Sequence, residues 1–300
     1  MTRRPARHSY YEANARQRLR ALLDPGSLRE FLGPEARATS PHLESLDLPV
    51  AFDDGVVVGS GGLGGHAVLV AAQEGGFLGG AVGEVHGAKI TGLLERALAE
   101  RPRAVLLLLE SGGVRLHEAN AGLIAIAEIL RALLALRAAG VASVGLIGGV
   151  YGCFGGMGIV ACCCDALIMS EPGRLGLSGP EVIETEMGVE EFDARDRALV
   201  WRTLGGKHRY LLGEATRLVA DDVAAFRGAA LELLEHRRPL ALETLAAEHA
   251  RLEERLERYG DCRDAGEIWA RLGIAQPQRL PLLDEDEFLA AAAGARRGGT

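Results

Sequence analysis

The stretch that decides the fold is Val105-Leu-Leu-Leu-Leu-Glu-Ser-Gly-Gly-Val-Arg-Leu-His-Glu118, in which an apolar run gives way to two glycines and then to a helix. Residues 105–109 lack the alternation of a half-exposed strand, which is typical of a strand covered on both faces in a parallel sheet. Gly112 and Gly113 leave backbone N–H groups open beside the next helix start, where the helix dipole favours negative charge. The stretch therefore predicts one half of a site that stabilises an anion.

The same order of elements recurs along the chain. A predicted helix over 84–100 precedes the opening strand, and a second strand at 141–147 leads into the glycine-rich turn 148–156. A short apolar helix, 157–165, and another strand, 166–170, follow. A strand, a glycine turn and a helix thus occur three times, which predicts an α/β domain built on a parallel sheet.

Three parts of the chain are predicted: an N-terminal helical arm and linker (1–48), a core (49–235) and a C-terminal helical extension (236–300). In the arm, the apolar spacing indicates a short second helix over 28–32. In the core, two short strands flank the turn 61–65, which we expect to be too long for a two-residue turn.

The C-terminal extension contains an amphipathic helix, predicted over 241–258. Its apolar face consists of Leu245, Leu252 and Leu256. A stripe of this kind is more typical of a helix that packs on the core or on a partner protein than of one that lies on a membrane.

Composition excludes several classes of protein. The formal net charge is −8, and no basic stripe with interleaved aromatic residues is present, which argues against nucleic acid as a ligand. No apolar run approaches the roughly 18–20 residues of a membrane helix, and the N-terminus lacks the apolar region of a signal peptide. We therefore expect a cytoplasmic protein without a membrane partner.

The cysteines do not form the paired C-x-x-C spacing of a structural zinc site. Three of them are consecutive in an apolar helical context, which favours buried small hydrophobic residues over redox or metal chemistry. We expect no metal site. The five are Cys153, Cys162, Cys163, Cys164 and Cys262.

Two glycine turns are the candidate catalytic elements. Gly112 and Gly113 follow one buried strand, and Gly155 and Gly156 follow the next. If these strands are neighbours, amides from both turns converge on one oxygen and form an oxyanion hole, which stabilises an enolate or a tetrahedral anion without a titrating side chain. The alternative is that the glycines only permit tight turns between strand and helix. Neither turn has the Gly-Lys-Ser/Thr of a phosphate loop or a Gly-x-Ser-x-Gly elbow.

Four side chains near these turns are further candidates, each with an alternative. Lys89 carries a cation towards a thioester ligand or its phosphates, or is a solvated helix lysine. Arg115 pairs with a substrate carboxylate, or holds its loop through an acid such as Glu118. His86 and His117 are candidate proton donors because their pKa lies near neutrality, although a satisfied or solvent-facing ring is the more common role.

Several motifs, in this order along the chain, resemble the carboxyltransferase branch of the crotonase superfamily and, within it, the β subunits of biotin-independent malonate decarboxylases. The likeness covers about residues 10 to 235, and the order of the motifs makes it specific. The matching stretches are 75–89, 110–120, 152–157, 175–184, 190–197 and 205–210.

The resemblance implies a crotonase-like spiral of ββα units that pairs with a homologous γ subunit. It also implies an acyltransferase α subunit and an acyl carrier protein, whose CoA-derived phosphopantetheine-type arm presents the thioester, with no cofactor bound covalently to this chain. In this family a malonyl thioester loses CO2, backbone amides hold the resulting enolate, and protonation gives the acetyl thioester.

The resemblance also assigns the residues of the site. Gly112 or Gly113 and Gly155 or Gly156 supply the oxyanion hole. By position, residues 77–80 are expected to line the channel of the carrier protein's arm. Lys89 and Arg115 complete the candidate set from their positions in the sequence, with the alternatives given above. These thioester-binding residues are Phe77, Gly79, Gly80, Lys89 and Arg115.

Two other functions stay open. One is the β subunit of a biotin-dependent acyl-CoA carboxylase, although the four-cysteine zinc ribbon of bacterial acetyl-CoA carboxylase β subunits has no counterpart before Cys153. The other is a non-catalytic scaffold that binds CoA or a carrier protein while a partner performs the chemistry.

Relatives commonly have glutamine at the position of His117, so the side chain of His117 has no role assigned by the resemblance.

Overall fold

The computed structural model describes residues 8–297, which form one seven-stranded sheet with helices on both faces. The strands are β1 (Arg29–Glu30), β2 (Val56–Leu63), β3 (His66–Gln73), β4 (Ala104–Leu108), β5 (Ala142–Ile147), β6 (Ala166–Ser170) and β7 (Arg217–Val219). The helices are α1 (Ala15–Leu22), α2 (Glu84–Glu100), α3 (Ala121–Ala138), α4 (Gly155–Cys162), α5 (Pro180–Met187), α6 (Arg197–Leu204), α7 (Gly206–Leu211), α8 (Val223–Leu233), α9 (Leu242–Tyr259), α10 (Ala265–Arg271) and α11 (Glu285–Arg297).

The strands lie in the sheet in chain order. β1, β2 and β3 are antiparallel, and every pair from β3 to β7 is parallel. Every residue of β4, β5 and β6 is buried, because α2, α3 and α4 pack on one face of the sheet while α1 and α8 pack on the other. The predicted α/β architecture and the parallel sheet with two covered faces are confirmed.

The N-terminal arm differs from the prediction. Residues 29–30 form strand β1, which pairs with β2, so the predicted second helix over 28–32 is wrong. The pairing depends on Gly59, because a Cβ at that position would collide with the carbonyl oxygen of Arg29. A short apolar run does not distinguish helix from strand, and here the bare backbone of β2 selects the strand.

The hairpin between β2 and β3 is also tighter than predicted. The strands run to Leu63 and from His66, which leaves a two-residue turn at Gly64 and Gly65 with φ values of +58° and +81°. Asp24 accepts hydrogen bonds from both glycine N–H groups, at 3.0 and 2.9 Å. The expectation of a longer turn is wrong because two adjacent glycines adopt the left-handed conformation that such a turn requires.

The C-terminal extension packs on the core through its last helices. Trp269 of α10 and Phe288 of α11 are buried in a cluster with Leu211 and Leu218. Helix α9 has no buried residue, and the predicted apolar face is exposed, with Leu256 at 72%. Within residues 8–297, no helix combines the length and the apolar character needed to cross a membrane.

We expect opposite effects on the free energy of unfolding for Gly→Ala substitutions at Gly65, in the tight turn, and at Gly92, in helix α2. Gly65→Ala is expected to lower the free energy of unfolding by about 1–2 kcal/mol, because the left-handed φ disfavours a Cβ even though the space beside it is open. Gly92→Ala, at an exposed position inside α2 with open space, is expected to raise it by about 0.5–1 kcal/mol. Urea unfolding of both variants measures the difference, and effects of the same sign would contradict this account of the turn.

Candidate active site

The two glycine turns meet at the carboxyl edge of the sheet. Ser111 and Cys153 form a parallel bridge beyond the ends of β4 and β5, and the N–H of Phe154 donates to the carbonyl oxygen of Ser111 at 2.8 Å. A Cβ on Gly155 would lie 3.0 Å from the Cα of Gly113. The turns are therefore in van der Waals contact, as the order of the neighbouring strands requires.

Two of the four predicted amides are already occupied. The N–H of Gly112 donates to the carbonyl oxygen of Gly79 at 2.8 Å, and the N–H of Gly155 donates to that of Leu177 at 2.9 Å. These bonds hold the turns in place, so in this conformation neither N–H points at a ligand.

The other two amides are the better candidates. Among the described residues, the N–H of Gly113 has only the hydroxyl of Ser111 as acceptor, at 3.2 Å within the same turn. The N–H of Gly156 lies in the first turn of α4 and has no acceptor among residues 8–297. A helix start is where free N–H groups and the helix dipole favour an anion. Of the four predicted glycines, Gly113 and Gly156 are therefore the ones whose N–H groups are available as donors to an oxyanion in this conformation.

The glycine-rich loop before α2 borders the same edge. Gly79 and Gly80 have φ values of +65° and +67°, but they face different surroundings. A Cβ on Gly80 would collide with the carbonyl oxygen of Glu110, whereas the nearest atom to a Cβ on Gly79 is in the Tyr151 ring, at 3.9 Å. The space beside Gly79 is thus open next to Tyr151, which is 45% exposed, and Gly80 is a packing position.

Phe77 lies at the start of this loop. Its ring packs against Gly55, where a Cβ would come within 2.6 Å of the ring, and the Arg115 guanidinium lies 5.2 Å from the ring centroid. The ring is half-buried. Phe77 therefore forms a wall between the loop and a buried group of charges.

Arg115 is the centre of that buried group. Its guanidinium pairs with Asp54 at 2.7 Å and with Glu118 at 3.2 Å, and it is 2% exposed. It also donates to the carbonyl oxygen of Asp54 at 2.8 Å. Burial raises the pKa of Asp54, while the Arg115 charge opposes the rise. This geometry favours the loop-holding alternative for Arg115.

Lys89 is engaged in the same region. Its Nζ donates to the backbone carbonyl oxygens of Asp53, at 2.6 Å, and Val56, and it is 5% exposed. Burial lowers the pKa of Lys89 to about 8. The amine therefore satisfies two carbonyl groups at the start of β2. Lys89 is thus a buried structural lysine, which differs from both the ligand-binding and the solvated role considered from the sequence.

His86 is buried with a definite tautomer. The Gln73 side-chain oxygen accepts the Glu110 N–H at 3.1 Å, so its amide nitrogen donates to His86 Nε2 at 3.0 Å. The Nδ1–H then donates to the carbonyl oxygen of Asp54 at 3.0 Å. A ring with both nitrogens occupied has no proton to deliver at the glycine turns. His117 is exposed instead.

Sequence reasoning missed two residues of this region. Tyr151 lies inside the predicted turn 148–156 without a role of its own, and Asp54 has no predicted role, although its φ of +52° is unusual for a residue with a side chain. The short Asp53-Asp54-Gly55 sequence before β2 was the available signal for a turn that presents carboxylates.

The cysteines differ in how far they are buried. Cys153 and Cys164 are buried, as predicted, whereas Cys162 is exposed at the last turn of α4. Burial raises the pKa of the Cys153 thiol. No group of three or more histidine, cysteine, aspartate and glutamate side chains suited to a metal ion occurs within residues 8–297.

The neutral ring of His86 predicts acid-sensitive stability. Burial, with the charge of Arg115, lowers the pKa of His86 from 6.5 to about 3. The unfolded chain therefore binds the proton more readily, so the contribution of the ring to stability is complete above pH 6.5 and is lost as the pH falls towards 3. Between pH 8 and pH 5, we expect the unfolding free energy to fall by about 2 kcal/mol more in the wild type than in His86→Gln.

Urea unfolding at the two pH values measures this difference. His117→Gln is the matched control, because it removes an exposed histidine and should keep the pH dependence of the wild type. An unchanged dependence in His86→Gln would show that the buried ring does not carry the acid sensitivity.

The sequence of the chain is similar to those of known proteins. The model of the carboxyl transferase domain family matches residues 7–229. The malonyl-S-ACP:biotin-protein carboxyltransferase MADC of Malonomonas rubra is 42% identical over 95% of both chains. The acetyl-coenzyme A carboxylase carboxyl transferase subunit beta of Fusobacterium nucleatum is 31% identical over 58% of this chain and 59% of its own length.

The fold is shared with solved structures. A chain from the crystal structure of a Pseudomonas malonate decarboxylase hetero-tetramer in complex with malonate superposes with a TM-score of 0.80 and 43% identity, covering 89% of this chain and 98% of that one. The resemblance predicted from the ordered motifs and the crotonase-like fold are thereby confirmed. With the family model matched from the N-terminal arm through α8, the chain belongs to the carboxyl transferase family of enzymes.

Proposed function

We propose that the chain is a malonate decarboxylase β subunit that, with a homologous γ subunit, decarboxylates a malonyl thioester on an acyl carrier protein. The observation that carries the proposal is the contact between the two glycine turns, since it brings the Gly113 and Gly156 amides to one edge of the sheet. The Malonomonas rubra relative and the Pseudomonas structure, at 42% and 43% identity, support the proposal, because both are named for a malonyl or malonate substrate.

The reaction needs a place for negative charge. The bond between the carboxylate carbon and the α-carbon of the malonyl group breaks, CO2 leaves, and the electron pair passes into an enolate whose charge rests on the thioester oxygen. Two backbone N–H groups aimed at that oxygen stabilise the enolate more than the neutral carbonyl, which lowers the barrier. A proton then adds to the α-carbon and gives the acetyl thioester.

In this proposal the carrier's arm lies in the open space beside Gly79 and Tyr151. A phosphopantetheine-type arm is a neutral chain of amides near its thioester end, so it requires a narrow path and backbone partners more than cations. The hydrogen bond from Gly112 to Gly79 ties this path to the first glycine turn. The arm runs along Gly79, with Phe77 as the wall behind it, while Arg115 and Lys89 hold the neighbouring turn before β2 from inside.

Exposed apolar side chains around the turns support a partner subunit. Several large ones are more than half exposed on the segments that follow the glycine turns, which is unusual for a surface that stays in water. We assign this surface to the γ subunit and leave the α subunit and the carrier to other faces. The residues are Leu116, Leu123, Ile124, Leu177, Val182, Met187 and Val189.

Carboxyl transfer to biotin is the second candidate, and the name of the Malonomonas rubra relative favours it. Both reactions begin with the same cleavage to an enolate, so the glycine turns serve either one. They differ in whether CO2 is released or is captured by a biotinylated protein.

The decisive assay uses the chain purified with its γ partner and supplied with malonyl-carrier thioester. We expect one CO2 and one acetyl thioester per malonyl thioester without any biotin protein. Turnover that depends on a biotinylated acceptor would establish the second candidate instead. A folded complex that consumes no malonyl thioester under either condition would exclude both.

Substitution at the contact separates a catalytic role of the turns from a scaffold role. Gly155→Ala adds a Cβ 3.0 Å from the Cα of Gly113 at a residue with φ of +59°, so the two turns must move apart. We expect kcat to fall about 100-fold, because loss of one oxyanion donor has that effect. Gly92→Ala, in α2 and away from the turns, is the control and should keep wild-type kcat. A scaffold would show unchanged turnover in both variants.

A further inference from the structure

Two glycine-rich segments, 75–80 and 149–156, pack around Glu110, which itself begins the third, 110–116. A Cβ on Gly75 would lie 2.6 Å from the Glu110 carboxyl carbon, and a Cβ on Gly149 would collide with the same group. A Cβ on Gly80 would collide with the carbonyl oxygen of Glu110. A Cβ at any of the three positions would therefore displace Glu110, and at Gly75 it would also meet the Tyr151 ring, at 2.4 Å.

Glu110 also forms one hydrogen bond within segment 149–156 and another just before segment 75–80. Its Oε1 accepts the N–H of Tyr151 at 3.1 Å, in the loop that leads to the second glycine turn. Its own N–H donates to Gln73, at the end of β3 and next to the loop that contains Gly79. Glu110 directly precedes Ser111 in the first glycine turn, so one residue touches all three segments of the site.

Arg18 holds this carboxylate from the N-terminal arm. The Arg18 NH1 donates to Glu110 Oε2, and the two side chains are 2% and 4% exposed. Arg18 Nε donates to the carbonyl oxygen of Tyr10 at 2.8 Å, and its guanidinium lies 4.7 Å from the centre of the Tyr10 ring. Tyr10 in turn stacks on Phe226 of α8 at 4.0 Å, so the cation is fixed from several directions.

We propose that Glu110, held by Arg18, is the positioning residue that sets the three glycine-rich segments of the site relative to one another. The inference rests on the proposed function, because those segments carry the oxyanion turns and the path of the thioester arm. Glu110 does not touch the substrate in this account; it acts through the amides and loops around it. An error of about 1 Å in such a site lowers a rate by about 100-fold.

The test replaces the whole ion pair, because removal of one partner leaves a buried charge that endangers the fold, whereas neutral replacement of both is often tolerated. The variant Arg18→Met/Glu110→Gln keeps the volume of both side chains. Its matched control is Arg137→Met/Asp165→Asn, which removes a similarly buried pair, at 3.3 Å, beside the opposite ends of β5 and β6.

Two measurements are made on the complex with the γ subunit. In Arg18→Met/Glu110→Gln, backbone hydrogen exchange should accelerate about tenfold or more in segments 75–80, 110–116 and 149–156. The three segments should change in parallel. With the malonyl-carrier thioester, kcat should fall about tenfold or more with KM nearly unchanged. The control variant should leave the exchange of these segments and kcat at wild-type values, even if its melting temperature changes.

The outcomes separate this inference from the proposed function. Unchanged exchange in the three segments of a folded Arg18→Met/Glu110→Gln variant would overturn the positioning role, whatever the wild type catalyses. A wild-type complex without turnover would count against the proposed function, while the exchange data would still decide on Glu110. If the double variant does not fold, Arg18→Lys is tested in its place, because it keeps the charge and loses the hydrogen bonds to the Tyr10 and Tyr11 carbonyl oxygens. Faster hydrogen exchange in all three segments of this variant supports the proposal, and unchanged exchange overturns it.

Discussion

The site depends on a ladder of backbone hydrogen bonds that continues past the ends of the parallel strands. Gly112 bonds to Gly79, Phe154 to Ser111, and Gly155 to Leu177, so four segments of the chain are joined by their backbones alone. A Cβ would collide with a neighbour at Gly80 and Gly156, whereas Gly113 has open space but a φ of +134°, so both close packing and backbone conformation select glycine where β4 and β5 end. The same closeness leaves two amide groups without strong partners at one edge of the sheet. A fold that ties its turns together in this way presents fixed dipoles to a substrate with little reorganisation during the reaction.

The charged groups behind the turns have a different purpose. Arg115 pairs with Asp54 and Glu118, Lys89 donates to two carbonyl oxygens, and the ring of His86 is neutral and bonded at both nitrogens. Perturbed pKa values often mark catalytic groups, but structural networks also shift them. Here each shifted group has its partners within the protein. In the proposed function, the chemistry at the edge of the sheet is therefore left to uncharged amides, which suits a reaction whose intermediate carries the charge on its own oxygen.

Decarboxylation and carboxyl transfer share their first step on such a site. In both, a malonyl thioester loses its carboxyl carbon and leaves an enolate, and the same pair of amides stabilises that anion. The choice between release and capture of CO2 belongs to the acceptor and hence to the partner proteins. This explains how relatives with nearly equal identity to the chain, 42% and 43%, have names that describe the two outcomes.

The sequence by itself determined the parallel sheet, the helices on both faces and the two glycine turns, because apolar runs and glycine pairs are local signals. It left open which amides are free and what Lys89 and Arg115 contact, and it misled about residues 28–32 and the turn at Gly64. Only the tertiary structure decided these points. Hydrogen-bond partners such as Leu177 for Gly155, or Arg29 for the edge of β2, come from distant segments whose approach no local pattern encodes. The role inferred for Glu110 depends likewise on two segments that pack around a residue of the third, which is a property of the fold and not of any single motif.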